Sequence, residues 1–159
     1  MSEKILFYRA NEVPYGPFSN FDTKHPIELM NKLWPSTEHF FQAMKFFTTD
    51  NEFMEKIRTA ATPRESARLG RDRSHPIRQD WESAKYQIMW MAVHEKFNKY
   101  PDLKALLLST GDSELVEHTT NDKIWADGGN GSGTNWLGKI LMDIRAKFKS
   151  ELTSAAPVV

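Results

Sequence analysis

The sequence predicts an α+β fold: a mainly helical single domain with a small antiparallel sheet, spanning residues 1–153, with 154–159 as a frayed tail. Three observations lead there. Apolar residues recur at helical spacing through most of the stretch 36–108 and again from 136. The runs that read as strands are few and short. The 159 residues hold no internal repeat and no linker, which suits one domain with a real core.

In chain order, Ile5-Leu6-Phe7-Tyr8 reads as a first strand. Pro14-Tyr15-Gly16-Pro17-Phe18-Ser19-Asn20-Phe21 is a loop by its prolines and glycine, and its three aromatics serve either as anchors or as a stacking wall. Residues 27–34 suit a hairpin turning near Asn31-Lys32. Helices are expected over 36–48, 51–59, 62–70, 78–99, 101–108 and 136–152. The third has Thr62 as cap, Pro63 in the first turn and Glu65 to close a capping box, and it ends near Gly70. Residues 114–119 and 123–126 read as two short strands turning at Asn121-Asp122.

The helix entered at Pro35-Ser36-Thr37 carries the chemistry. Phe40, Phe41, Ala43, Met44, Phe46 and Phe47 leave it no clean polar face, so it is expected to be buried. Yet Glu38, Gln42 and Lys45 fall on one stripe. Burying a carboxylate and an amine is costly unless they pair or open onto a cavity. Seven residues separate Glu38 from Lys45, a rise of roughly 10 Å, which leaves room for a small ligand. A buried structural ion pair, or charges reaching solvent at the helix end, fits the same pattern.

Other function classes are narrowed by what is missing. The 21 basic and 21 acidic residues cancel, so any nucleic-acid contact must be local. With no cysteine there is neither disulfide nor thiolate metal site, which suits a reducing, cytoplasmic setting. The start of the chain does not read as a signal peptide, and no apolar run is long enough for a membrane span. The segment Gly133 to Lys139 fits the spacing of a phosphate-binding P-loop, but Ile140 stands where a Ser or Thr should bind magnesium. Gly131 and Gly133 are followed by Trp136, which fails the dinucleotide fingerprint. His94-Glu95-Lys96-Phe97-Asn98 lacks the second histidine of the zinc helix motif, so no metal and no cofactor is expected. No G-x-S-x-G marks a serine hydrolase. There remain a glycine-rich loop opening a helix, Asp127 at its mouth, and Arg64, Arg68, Arg71, Arg73 and Arg78. These arginines form a solvated face or a phosphate site. The set points to metal-free chemistry on a phosphorylated sugar.

Phe18-Ser19-Asn20-Phe21, Trp34-Pro35-Ser36-Thr37-Glu38-His39-Phe40-Phe41-Gln42-Ala43-Met44-Lys45-Phe46, Leu69-Gly70-Arg71-Asp72-Arg73, Trp81, Trp125-Ala126-Asp127-Gly128-Gly129 and Asn135-Trp136-Leu137-Gly138 together resemble the NADAR family, the YbiA-like group named for NAD and ADP-ribose metabolism. The match keeps its order from about Phe7 to Arg145. Ala126 replaces a commoner glycine. Trp136 replaces a commoner arginine or lysine, which removes a positive contact. The resemblance implies a metal-independent N-glycosidase that cuts the bond between a nitrogen base and a phosphate-bearing ribose. Some members act on phosphoribosylamino-pyrimidine intermediates of riboflavin synthesis; others remove ADP-ribose from guanine bases of DNA or RNA. Removal of ADP-ribose from guanine is the reading favoured for this chain.

The resemblance puts the family's signature lysine at Lys45. It is expected to form an imine with the sugar, with Glu38 or Asp127 as proton donor. Arg71, Arg73 and the loop with Gly128 and Gly129 are assigned to phosphate. Phe21, Trp34, Trp81 and Trp125 are assigned to the substrate's walls, and Asn20 and Asn135 to ribose or base. A non-catalytic ADP-ribose-binding module is the reading of another class, and a scaffold without ligand a third. The sequence does not set the oligomeric state.

Overall fold

The computed structural model describes residues 3–154. Its strands are β1 (Lys4–Phe7), β2 (Ile27–Leu29), β3 (Lys32–Trp34) and β4 (Glu114–Glu117). Its helices are α1 (Thr37–Met44), α2 (Asn51–Arg58), α3 (Pro63–Gly70), α4 (Trp81–Lys99), α5 (Pro101–Ser109) and α6 (Trp136–Ser154). Six helices and little sheet give the mainly helical α+β class expected. Among the described residues, no helix is long and apolar enough to cross a membrane. The chain sorts into two compact units: residues up to 19 with those from 100 onward, and residues 20–99.

In the first unit, β1 and β4 pair in parallel, from Lys4 opposite Glu114 to Phe7 opposite Glu117. This corrects the expected hairpin of 114–119 with 123–126. The second of those strands does not form, because one oxygen of Asp122 accepts the amides of Ile124 and Trp125, both at 2.8 Å, and curls the chain into a turn. A parallel pair needs a long crossover, so its partners are far apart in sequence. Helix α6 packs on β4, and α5 packs on α6. Gly138 sits against the Leu115 carbonyl, where any side chain would collide with backbone. The P-loop-like spacing thus records helix-on-strand packing. Leu137, Ile140, Leu141, Ile144 and Phe148 form the buried stripe of α6. The helix includes Ser154, the first residue of the expected tail; the others, 155–159, lie outside the described residues.

In the second unit, β2 and β3 form the antiparallel hairpin expected, with Ile27 opposite Trp34. Its turn residues are Met30 and Asn31, one place earlier than expected, both at positive φ (58° and 60°), as a two-residue hairpin turn requires. Every residue of α1 is buried. Ser36 caps it by accepting the His39 amide at 3.1 Å. Within the same turn the Ser36 hydroxyl lies 2.7 Å from His39 Nδ1, and His39 Nε2 lies 3.0 Å from the Ala60 carbonyl. One neutral tautomer, protonated at Nε2, satisfies all three contacts, and burial pushes the His39 pKa down. Thr62 caps α3 as expected, but Glu65 pairs with Arg68 at 2.8 Å rather than completing a capping box. Helix α4 starts at Trp81, not at residue 78, because the Arg78 amide donates to the Lys45 carbonyl at 2.8 Å.

A buried ion pair locks the loop before β2 to α4. Lys96 Nζ lies 3.1 Å from Asp22, and both side chains are almost wholly enclosed. Asp22 also takes His25 Nδ1 at 2.7 Å and the Lys24 amide at 3.0 Å. Burial alone would raise the Asp22 pKa, but Lys96, His25 and the Lys24 amide hold it below its ordinary value. Burial brings Lys96 down to about 8 against the pull of Asp22. Removing one partner strands the other charge in the interior. Lys96→Met is therefore expected to lower unfolding stability in urea by about 3–5 kcal/mol, with Asp22→Asn added to Lys96→Met recovering most of the loss. A single variant as stable as the parent would show that the pair holds nothing.

Candidate active site

Lys45 follows the last turn of α1, and its side chain runs into the space between α1, the end of α3 and the start of α4. The residue is 7% exposed. Its amine lies 5.8 Å from the Trp81 ring centre and 6.0 Å from that of Phe41, two rings that themselves meet at 5.0 Å. Among the described residues its one hydrogen bond, long at 3.4 Å, goes to the Gly70 carbonyl. That carbonyl also accepts from Arg73 Nη1 at 2.8 Å. Burial and the positive charge of Arg73 push the Lys45 pKa from 10.5 down to about 8, with Arg71 and Lys85 adding to the fall and Glu38 opposing it.

Glu38, 8% exposed, stands on the same stripe of α1. Gln42, one turn along, donates its amide to Glu38 at 3.3 Å, and its carbonyl oxygen is buried without a hydrogen-bond partner. That oxygen faces Gly70, and a side chain on Gly70 would strike it. Gly70 therefore lets α3 approach α1 closely enough for its carbonyl to reach Lys45. Asn20 accepts the Glu38 amide at 3.3 Å through its carbonyl and the Thr37 hydroxyl at 2.8 Å through its side chain, tying its loop to the start of α1. The resulting arrangement is a desolvated amine with an acid on its own helix face, an aromatic floor and a cationic rim.

Asp127 belongs to the other unit. One of its oxygens accepts the amides of Gly129 at 2.8 Å and Thr119 at 3.1 Å; the other lies 2.7 Å from His118 Nδ1. Burial would raise its pKa, but these partners outweigh it and keep the carboxyl below its ordinary range. A group held in that form is a poor proton donor at neutral pH. The loop it anchors turns through Gly128, Gly129 and Gly131 at φ of 73°, 87° and 84°. Within the same unit, a cavity of about 180 Å³ is lined by Lys4, Glu114, Asp127, Thr134, Asn135 and Lys139, among others.

Lys45, Glu38, Trp81, Arg71 and Arg73 all lie in the unit of residues 20–99. Others land differently. Trp34 has no exposed surface; it packs edge-on against Phe40 at 5.0 Å and donates to the Leu29 carbonyl, so it is a core residue and offers no face to a substrate. Asn135 bridges to β4: its amide nitrogen donates to the Leu115 carbonyl at 2.9 Å and its oxygen accepts the Glu117 amide at 3.0 Å. Both ends being engaged, it serves the strand rather than a ribose. The loop at 128–133, expected to cradle phosphate, spends most of its amides internally. The amides of Gly128, Gly129, Ser132 and Gly133 all donate within the chain, closing the loop on itself. Trp125 packs edge-on against Trp136 at 5.2 Å, and Phe21 is 44% exposed. The sequence reading missed the Gly70 carbonyl and His118. Gly70 reads as a helix stop and as part of a motif, with nothing to mark its carbonyl, and His118 carries no local signal. Among the described residues, no cluster of three or more His, Asp or Glu side chains is placed to hold a metal ion.

The family model described as "NADAR domain" matches residues 6–149. The chain is 46% identical to the N-glycosidase YbiA of Escherichia coli, over 95% of this chain and 92% of that protein. It is 42% identical to an N-glycosidase of Nostoc punctiforme, over 94% and 95%. It is 38% identical to the chloroplastic riboflavin biosynthesis protein PYRR of Zea mays, covering 97% of this chain and 26% of that protein. The NMR structure of Escherichia coli YbiA superposes with a TM-score of 0.89 at 45% identity, covering 99% of this chain and 92% of that one. These likenesses favour an enzyme over a non-catalytic reader. The chain belongs to the NADAR family and is an N-glycosidase, a hydrolase of N-glycosyl bonds.

Proposed function

We propose that Lys45 is the nucleophile of this N-glycosidase, that Glu38 moves the protons, and that the substrate is a base joined to a phosphate-bearing ribose. The observation that carries the reading is the Lys45 amine enclosed beside the Phe41 and Trp81 rings with one long hydrogen bond to the Gly70 carbonyl, a setting in which burial brings its pKa to about 8. At neutral pH roughly one such amine in ten is neutral, against roughly one in three thousand for an ordinary lysine.

The steps balance. The Lys45 ammonium passes a proton to Glu38 by way of a water or a substrate hydroxyl, the relay that also serves the later exchanges between them. The neutral Nζ then bonds to the anomeric carbon as the bond to the base breaks, and Glu38 delivers its proton to the departing nitrogen. Glu38 next takes a proton from the new secondary ammonium and gives it to the ring oxygen as the ring opens to the imine. Water adds to the imine carbon, the amine leaves with a proton, and the freed ribose recloses. The low pKa of Asp127 supports a role as loop anchor and fixed negative charge rather than as proton donor.

Guanine-linked ADP-ribose is the proposed substrate, its single modified base drawn out of any stack into a local pocket. A second reading takes phosphoribosylamino-pyrimidine intermediates of riboflavin synthesis. Its support is the name of the Zea mays relative. Zero net charge also sits more easily with a small substrate than with tracking along nucleic acid.

Side-by-side turnover of an ADP-ribosylated guanine oligonucleotide and a phosphoribosylamino-pyrimidine separates the two, since the true substrate is expected to lead in kcat/KM by at least about a hundredfold, more than 2 kcal/mol. Equal turnover of both would leave the proposed preference without support. Lys45→Met is expected to abolish turnover of either while raising stability at neutral pH, because a buried cation is replaced by an apolar chain of similar length. The folded pKa of Lys45 lies below its unfolded value. The unfolded state thus binds more protons between about 8 and 10.5, and wild-type stability gains over that window relative to Lys45→Met as pH rises. Parallel stability curves for the two proteins would show that Lys45 is not desolvated.

A further inference from the structure

Arg73 was assigned to substrate phosphate, but its geometry gives it another task. Its Nη1 donates to the Gly70 carbonyl at 2.8 Å, the same oxygen that receives Lys45 Nζ at 3.4 Å. Two cations therefore converge on one acceptor. Arg71, two residues earlier, is exposed, and its guanidinium makes no hydrogen bond or ion pair among the described residues. We propose that Arg73 is a positioning residue for the lysine: anchored on the Gly70 carbonyl, it aims the Lys45 amine and sets a neighbouring positive charge against its protonation, leaving Arg71 as the guanidinium available for substrate phosphate.

This rests on the reading of Lys45 as nucleophile. The charged groups facing that amine come from every element around it. Glu38 on α1 favours its protonation; Arg73 and Arg71 after α3 and Lys85 on α4 oppose it, and Lys85 is itself paired with Glu82 at 2.6 Å. The rings of Phe41 and Trp81 contribute no titratable group. Of the cations, Arg73 has the largest effect. A phosphate gripped by Arg73 would neutralise this field just when the neutral amine is needed. A phosphate on Arg71 disturbs it less.

The test is the titration of Lys45, followed through its Cε resonance by heteronuclear NMR, in the wild type, Arg73→Gln, Arg73→Lys and Arg71→Gln. Arg73 and Arg71 are both exposed residues, so the fold is expected to survive each change. Arg73→Gln is expected to move the midpoint upward and cut the neutral amine at neutral pH by about threefold. Arg73→Lys restores the midpoint, and Arg71→Gln moves it less while raising KM for the phosphate-bearing substrate. The limb of kcat that rises with pH is expected to move with the midpoint. An unchanged midpoint in Arg73→Gln, with a raised KM, overturns the assignment and returns Arg73 to the phosphate. A shifted midpoint that kcat ignores would leave the Arg73–Lys45 coupling standing and remove Lys45 from the chemistry.

Discussion

The structure around the candidate site depends on one constraint: an amine has been taken out of water and given almost nothing ionic in return. A buried ammonium is tolerated when it is paired or when it loses its proton. Lys45 meets ring faces and a shared carbonyl oxygen, while its acid, Glu38, is engaged by Gln42. The neighbouring features follow. Helix α1 must be buried on all sides to exclude water, so its other polar groups need internal partners. Ser36 and the Ala60 carbonyl supply them for His39, and Asn20 supplies them for the entry turn. Residue 70 must lack a side chain for α3 to present its carbonyl.

A comparison inside the same unit shows what is special about this arrangement. Lys96 is at least as buried as Lys45 and has the same pKa of about 8. It is locked to Asp22 at 3.1 Å with His25 alongside. Lys45 is held by weaker, longer contacts and beside cations. The first lysine fastens a loop; the second is the one we propose to react. Depressed lysine pKa values alone do not separate the two, whereas the partners do.

Much of this was legible in the chain. The run from Ser36 to Phe47 announces a buried helix by having no polar face, and its acid and amine stand out because they fall on one stripe. Caps at Ser36 and Thr62 and the breaks at Pro63 and Pro101 place helix starts within a few residues, since these are local steric and hydrogen-bonding effects. What stayed hidden is non-local. The pairing of β1 with β4 joins residues over a hundred positions apart. Lys96 with Asp22, and His118 with Asp127, have no shared local pattern. Trp34 and Asn135 were misread for the same reason: residue type suggests a wall or a hydrogen-bonding handle, and only the fold shows a sealed ring and an amide occupied by a strand.

The central claim is that a sugar is carried, briefly, on the nitrogen of Lys45. Sodium borohydride added during turnover reduces an imine to a stable secondary amine, and mass spectrometry of the digested protein locates it. The account requires one ribosyl-derived adduct per chain, on the peptide holding Lys45, formed only with substrate and reductant together. Full turnover with no such adduct, or an adduct confined to other lysines, would contradict it.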